Sequence, residues 1–349
     1  MNHSANPAPH AAEVTATGKT RTVGRRRLLL MAAVLPLAAW RIQQGAEAAP
    51  LRWQGMALGA PASLVLHHGG DAAAAQAALE ATLAELSRLE AMFSLFRADS
   101  LLSQLNRAGR VDHAPPEFMA LLRTALDMAA RSNGVFDPSI QPLWTLYFEH
   151  FVVAGNTQPP AADKVALARA LVDWRGVHLA GSEVTLTRAG MGLSLNGVAQ
   201  GFITDRCSEV LRAHGFSHML VDMGEPRALA AKPDGSAWQI GLADPREPGR
   251  VRHTLSVLDQ AVATSGGYGT RLDAAGRYTH LIDPRTGRTA PAFESVTVVA
   301  PSATQADALS TALALLPRSD VPARLALLRT QPGCRAICID NAGQVSELS

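Results

Sequence analysis

The chain has 349 residues, of which 47% are hydrophobic, and it carries 32 Lys and Arg against 30 Asp and Glu. This length and apolar content suffice for one large domain, or two closely packed lobes, and they exclude intrinsic disorder as the general state of the chain. Six of the basic and two of the acidic residues lie within residues 1–48, so the rest of the chain carries a net charge of −2 and has no basic, aromatic-rich segment typical of nucleic-acid binding.

The first 48 residues have the organisation of an export signal. Arg25-Arg26 precede an uncharged apolar stretch that runs to Trp40, and the small-residue motif Ala46-Glu47-Ala48 follows. A basic region, a short apolar region and such a boundary make a secretory signal, and the paired arginines indicate the Tat route. About twelve apolar residues are too few for a permanent membrane span. We therefore predict a Tat signal peptide over residues 1–48 and a periplasmic domain over residues 49–349; an uncleaved N-terminal anchor is the alternative.

The first part of the predicted domain is mainly helical. A strand is expected over residues 62–67, followed by a helix that begins after Asp71, a suitable N-cap. Apolar residues at helical spacing predict two further helices, over residues 116–132 and 163–174. The pair Asn133-Gly134 is typical of the left-handed turn that ends a helix.

From Gly176 onwards, short β-rich segments alternate with turns. They are expected at residues 183–187, 218–222, 237–242, 252–258, 261–264, 278–282 and 295–300. Most of them follow one another without a helix between, which favours a mixed or antiparallel sheet over a doubly wound parallel one. Helices over residues 198–214 and 305–316 would cover one face. The predicted fold class is α+β, a mixed or antiparallel sheet with packed helices, in two intimate subdomains.

The cysteine count argues against a disulfide framework. The chain has three cysteines, Cys207, Cys334 and Cys338, and an odd number leaves at least one thiol unpaired. Residues 335–340 are expected to form a strand that would hold Cys338 away from Cys334. We predict that all three are free.

The last predicted helix carries the strongest chemical signal. Asp307, Ser310 and Thr311 are spaced by three and four residues, so they share one helical face. One carboxylate and two hydroxyls are hard oxygen donors, which suit Mg²⁺ better than zinc or copper. A single carboxylate holds Mg²⁺ weakly unless phosphate oxygens complete its coordination, so the pattern favours a phosphorylated ligand. Helix capping and packing by the same residues is the alternative.

Six further motifs precede this helix in a fixed order. They are F-S-L-F-R-A-D-S at residues 93–100 with Leu105-Asn106, G-V-F-D-P at 134–138, S-L-N-G-V-A-Q-G at 194–201 with Asp205, T-S-G-G-Y at 264–268, H-L-I-D-P-R-T-G at 280–287 and S-V-T-V-V-A-P at 295–301. Together with the Asp307 helix, they resemble the motifs of ApbE-family FAD:protein FMN transferases. The resemblance covers roughly residues 53–340.

The resemblance implies a reaction and a set of polar residues. In that reaction FAD is cleaved at its diphosphate, AMP leaves, and FMN is joined through its phosphate to a Ser or Thr hydroxyl of a partner protein. Mg²⁺ would be held by Asp307, Thr311 and Ser310, with a backbone carbonyl near Gly197. His280 would accept the proton of the incoming hydroxyl, since an imidazole that titrates near neutrality suits a general base; a histidine packed in a turn at a strand end is the alternative.

The resemblance also implies a flavin site. Phe96 offers a ring for stacking on isoalloxazine or adenine, unless it is an ordinary core aromatic. Asp137 would accept a hydrogen bond from the flavin or ribose, unless it merely forms a turn. Leu58 replaces a frequent methionine and keeps the apolar contact. The full set of cofactor-binding candidates is Leu58, Phe96, Val135, Phe136, Asp137, Ser194, Gln200 and Ile282.

Several positions depart from the family pattern. Ser194 and Gln200 stand where charged residues are usual, and Gly267 stands where an acidic or polar residue is usual. Residues 195–201 and 221–229 resemble the NosX branch, for which the expected acceptor is a membrane electron-transfer flavoprotein of the NosR type. Two alternatives are a periplasmic protein that binds FAD without transferring FMN, and an assembly factor for a reductase complex. The sequence contains neither a P-loop nor a dinucleotide-binding glycine motif.

Overall fold

The computed structural model of the chain describes residues 49–349 except 245, 248, 290 and 291. It opens with an antiparallel hairpin of β1 (Leu51–Ala57) and β2 (Ala60–Leu66). The sequence predicted only the second of these strands. β1 has a weak signal because it is an edge strand whose residues alternate between half-buried and exposed. The predicted signal peptide lies outside the described residues.

An eight-stranded sheet forms the centre of the fold. Its strand order is β1-β2-β6-β7-β10-β11-β12-β13, where the later strands are Met219–Asp222, Pro226–Leu229, Ala261–Ser265, Ser295–Ala300, Arg335–Ile339 and Val345–Leu348. A three-stranded sheet has the order β3-β5-β4, with ranges Arg110–Val111, Glu183–Leu186 and Val177–Ala180. β8 (Trp238–Ala243) and β9 (Val251–Val257) form a separate hairpin. All pairings between these strands are antiparallel.

Eight α-helices lie within the described residues. They are α1 Ala72–Phe93, α2 Leu101–Ala108, α3 Pro116–Arg131, α4 Gln141–Phe148, α5 Ala162–Ala170, α6 Ala199–Ala213, α7 Ala303–Leu315 and α8 Val321–Arg329. The Asp71 carboxylate accepts a hydrogen bond from the Ala74 N–H at 2.9 Å, which confirms the predicted N-cap. Asn133 and Gly134 both have positive φ, of 52° and 74°, as expected for the end of α3. No described helix is long and apolar enough to cross a membrane.

The helices and the large sheet share one main hydrophobic core. α7 packs on β10, β11 and α6, and α6 packs on α1. One smaller cluster lies under the β8–β9 hairpin, and another surrounds Tyr147 and Phe151 near α4. The described residues belong to one compact unit. The α+β fold class is therefore confirmed, and the three cysteines are free, as predicted.

Two local predictions are wrong, and three helices were missed. Residues 278–282 are not a strand but part of a loop folded back on itself, in which the His280 N–H donates to the Thr270 carbonyl at 3.1 Å. The apolar residues there are buried against the cleft described below and not paired in a sheet. α5 ends at Ala170, four residues early, because Asp173 starts a 3₁₀ turn by accepting from the Arg175 N–H at 3.1 Å. α2, α4 and α8 were not predicted.

Candidate active site

A cleft of about 400 Å³ opens beside the end of β10, the start of α6 and one face of α7. The loop of residues 266–284 and helix α4 complete its walls. Eleven residues predicted for the site line it: Phe96, Val135, Phe136, Asp137, Ser194, Gly197, Gln200, His280, Ile282, Asp307 and Thr311. Leu58 and Ser310 do not. Residues scattered over more than 200 positions are thus gathered around one cavity.

Asp307 is a buried carboxylate whose charge is poorly compensated. Its Oδ2 accepts a hydrogen bond from the Gly201 N–H at 3.0 Å, and no other hydrogen bond to the carboxylate of Asp307 is found in the described part of the chain. Burial raises its pKa to about 7, although the bond from Gly201 acts in the opposite direction. A Cβ at position 201 would lie 2.2 Å from the Ala303 carbonyl oxygen, so only glycine lets α6 approach α7 this closely. This arrangement fits a carboxylate that receives a cation.

Asp205 fixes the start of α7. Its carboxylate accepts hydrogen bonds from the N–H groups of Ala303 and Thr304, both at 2.9 Å, and from the Thr304 hydroxyl at 2.6 Å. The Arg227 guanidinium donates to the same carboxylate at 2.5 Å. Asp205, which the motif at residues 194–205 singled out without a role, therefore holds α6, α7 and β7 together and positions Asp307.

The hydroxyls of α7 are tied to the end of β10. The Ser265 Oγ lies 2.8 Å from the Ser310 Oγ and 3.3 Å from the Thr311 Oγ1. Ser310 is fully buried and donates to the Asp307 carbonyl at 3.0 Å. A Cβ at Gly197 would lie 3.1 Å from the Thr311 Oγ1, so the Gly197 backbone is next to that hydroxyl. Of the predicted metal ligands, Asp307, Thr311 and Gly197 share the cleft, whereas Ser310 lies behind Thr311.

Glu225 is a second carboxylate in the cleft wall, and no role was predicted for it from the sequence. It follows β6 and lines the cavity together with Asp307. Burial, then the nearby charges of Asp307 and Asp222, raise its pKa well above the usual range. The signal for it was the spacing of two carboxylates three residues apart, with Asp222 the last residue of β6 and Glu225 in the turn that follows. Within the described residues, no three His, Cys, Asp or Glu side chains converge on a potential metal position.

His280 is half-buried in the loop that faces α7 across the cleft. Its Nδ1 lies 3.3 Å from the Thr270 carbonyl, which can only accept, so Nδ1 carries the proton. No second hydrogen bond to the ring is found among the described residues, which leaves Nε2 as an acceptor. Burial lowers the pKa of His280, so the imidazole is neutral near pH 7. It therefore has the protonation state of a general base.

Three aromatic rings, one exposed and two half-buried, form one part of the cleft wall. Phe96 is 73% exposed, which rules out the core-aromatic interpretation. Trp144 and Phe148 of α4 stack at 4.8 Å between ring centroids and line the same cavity. Because α4 was not predicted, these two rings were not among the candidate site residues. All three offer apolar faces to a planar ligand.

The other flavin candidates have different surroundings. Leu58 lies in the β1–β2 turn, where its N–H donates to the Glu90 Oε1 at 2.7 Å. A Cβ at the next residue, Gly59, would lie 3.3 Å from the Phe96 ring. Leu58 thus contributes to the turn under Phe96 and not to the cleft surface. Ile282 is buried, 2% exposed, in the opposite wall.

Asp137 makes three local hydrogen bonds. It accepts from the Ser139 N–H at 2.8 Å, the Ser139 hydroxyl at 2.7 Å and the Trp174 N–H at 3.1 Å. Burial raises its pKa, and these bonds act against that shift. The contacts support the interpretation that Asp137 forms a turn, which presents the neighbouring Val135 and Phe136 to the cleft.

Two of the positions that depart from the family pattern, Ser194 and Gln200, lie on the α6 side of the cleft. The Ser194 N–H donates to the Pro138 carbonyl at 2.8 Å, which ties the α6 motif to the segment that follows Asp137. Gln200 packs over the backbone of Gly224: a Cβ at position 224 would lie 2.3 Å from its Nε2. The uncharged amide of Gln200 therefore covers the turn that carries Glu225.

Comparison with known proteins agrees with this geometry. The family model for the ApbE family matches residues 58–338. A Treponema pallidum protein named FAD:protein FMN transferase is 36% identical over 294 residues, covering 77% of this chain and 78% of that protein. The apo structure of flavinyl transferase ApbE from Pseudomonas stutzeri has 25% identity and a TM-score of 0.72, covering 86% of this chain and 95% of that one. The ApbE protein from Thermotoga maritima has 25% identity and a TM-score of 0.76, covering 86% and 97%. The chain belongs to the ApbE family.

Proposed function

We propose that this protein is a Mg²⁺-dependent FAD:protein FMN transferase, which joins FMN to a Ser or Thr hydroxyl of a partner protein and releases AMP. The observation that carries this proposal is the set of residues that line one cleft. A buried carboxylate with adjacent hydroxyl and carbonyl oxygens, a neutral histidine and three aromatic rings all line it. The names of the relatives support the same activity.

The donor set fits a magnesium ion. Asp307, the Thr311 hydroxyl and the backbone next to Gly197 supply only oxygen atoms, which is the preference of Mg²⁺. A cation would also offset the cost of the buried Asp307 charge. When bound, Mg²⁺ supplies charge neutralisation to the FAD diphosphate and to the departing AMP.

The protein residues would orient FAD and accept a proton. Phe96, Trp144 and Phe148 would stack on the flavin and exclude water from it. The acceptor hydroxyl oxygen forms a bond to the phosphorus of the FMN half, and the bond from that phosphorus to the bridging oxygen breaks. The bridging oxygen leaves with AMP, and the hydroxyl proton moves to Nε2 of His280.

An incubation with FAD, Mg²⁺ and an acceptor domain tests this function. We expect AMP to appear in step with a mass increase of the acceptor by one FMN group. AMP without acceptor modification would indicate a hydrolase. FAD binding without AMP would indicate the alternative, a flavin-binding or assembly protein. Ser208→Ala is a matched control, because it removes a buried helix hydroxyl that donates to the Thr204 carbonyl at 2.7 Å, away from the cleft.

We also propose export by the Tat route to the periplasm, with a membrane electron-transfer flavoprotein of the NosR type as acceptor. Arg25-Arg26 ahead of the apolar stretch support the route. The NosX-like segments at residues 195–201 and 221–229 support the acceptor. Replacing both arginines with lysine should leave precursor in the cytoplasm, as seen by fractionation, and normal export of that variant would contradict the assignment.

A further inference from the structure

Three hydroxyls from two elements form a chain that ends at the cleft. Thr311 and Ser310 belong to α7, and Ser265 is the last residue of β10, which packs against α7. The Ser265 oxygen lies within hydrogen-bonding distance of both helix hydroxyls, at 2.8 Å from Ser310 and 3.3 Å from Thr311. We call these three residues the hydroxyl relay. Of these three residues, Ser265 and Thr311 line the cleft, whereas Ser310 is fully buried.

The directions of the hydrogen bonds in the relay follow from counting protons. A Ser or Thr hydroxyl has one proton to donate and can accept through its lone pairs. Ser310 donates its proton to the Asp307 carbonyl at 3.0 Å. Its oxygen therefore accepts from Ser265, which uses the Ser265 proton. The contact between Ser265 and Thr311 must then have Thr311 as the donor.

The relay determines whether the Thr311 hydroxyl offers its proton or its oxygen lone pairs to a ligand. Because the Thr311 proton is held by Ser265, the lone pairs of its oxygen remain for the cleft. A Thr hydroxyl inside a helix otherwise tends to donate to the carbonyl four residues earlier, here Asp307. That carbonyl already accepts from Ser310. Both serines thus act to keep the Thr311 proton away from the ligand.

We propose that Ser265 is a positioning residue, which orients the Thr311 hydroxyl so that its oxygen serves as a cation ligand, and that Ser310 supports this orientation without binding the cation. This inference rests on the proposed function, since it takes Asp307 and Thr311 as the cation site. It assigns different roles to the two hydroxyls that the sequence had grouped together.

Cation binding in the absence of turnover tests the inference. Mn²⁺ alone is titrated into the full-length protein without added flavin, and free Mn²⁺ is followed by electron paramagnetic resonance. One lost hydrogen bond predicts about fivefold weaker Mn²⁺ binding for Ser265→Ala. Ser265→Thr keeps the hydroxyl and should stay close to wild type. Ser310→Ala should weaken binding to a similar degree, because the freed Ser265 proton then turns toward Thr311.

The double variant separates positioning from a general structural effect. If Ser265 acts only through Thr311, then Ser265→Ala/Thr311→Ala binds Mn²⁺ as weakly as Thr311→Ala alone. Additive losses, or wild-type binding by Ser265→Ala beside weak binding by Thr311→Ala, would overturn the relay and leave the proposed function standing. Wild-type binding by both Asp307→Ala and Thr311→Ala would overturn the cation site itself. Ser208→Ala should bind as wild type.

Discussion

Replacing Asp307 with asparagine should stabilise the metal-free protein, and more so at high pH. The pKa of the carboxyl rises from an ordinary 3.8 to about 7, mainly through burial. A raised pKa in the folded state means that ionisation costs stability. That cost is absent below the ordinary pKa, grows as the pH rises, and is complete above the folded pKa. Over about three units at 1.36 kcal/mol each, it reaches about 4 kcal/mol as an upper limit.

The asparagine variant isolates this charge. Its side-chain carbonyl can still accept the bond from the Gly201 N–H, and it is neutral at every pH. Between pH 5 and pH 8, the stability advantage of Asp307→Asn over wild type should grow by about 3 kcal/mol. Urea unfolding with EDTA present measures it, and Ser208→Ala should show no such growth. An advantage that is constant with pH, or a variant less stable than wild type at pH 8, would refute the argument from burial.

Three other substitutions have distinct expected outcomes. His280→Ala should slow FMN transfer by about 10²–10⁴-fold with near-normal FAD affinity, and added Mg²⁺ should not restore the rate. Rescue of the rate by Mg²⁺ would show that His280 belongs to the metal site. Because the pKa of His280 is lowered, wild-type turnover should be on its plateau at pH 7 and fall only in acid. Phe96→Ala should weaken FAD binding about tenfold in fluorescence titrations with little change in stability, and unchanged FAD affinity would remove this exposed ring from the site. Asp205→Ala should cost about 3–5 kcal/mol in urea unfolding, since it leaves Arg227 and the start of α7 unpartnered; a loss below about 1 kcal/mol would show that this carboxylate is not what holds α7.

The sequence predicted best where a pattern is local and strong. Asp71 and Asn133-Gly134 were assigned correctly because caps depend on a few neighbouring residues. The family resemblance carried by the motifs implied that Asp307, Thr311 and His280 share one site, and all three line one cleft. Their roles stay predictions until the variants are measured.

Other features depend on tertiary contacts that no local pattern encodes. Leu281 and Ile282 have strand-like composition, but they are buried by the cleft wall and not by sheet pairing. α4 is rich in aromatic residues and has Pro142 in its first turn, so it depends on packing with Tyr278 and its neighbours. Ser310 lies on the same helical face as Asp307. Its hydroxyl, however, contacts Ser265 of β10, and through Ser265 it helps to orient Thr311.

Modification of an acceptor protein tests the central claim most directly. The full chain is incubated with FAD, Mg²⁺ and a Ser- or Thr-containing acceptor domain, and the acceptor is analysed by mass spectrometry with mapping of the modified residue. The proposed function predicts one FMN bound through its phosphate to a Ser or Thr hydroxyl, with an equal amount of AMP released, and loss of both in Asp307→Ala. An unmodified acceptor under conditions where the protein binds FAD, or equal modification by Asp307→Ala at low Mg²⁺, would contradict it.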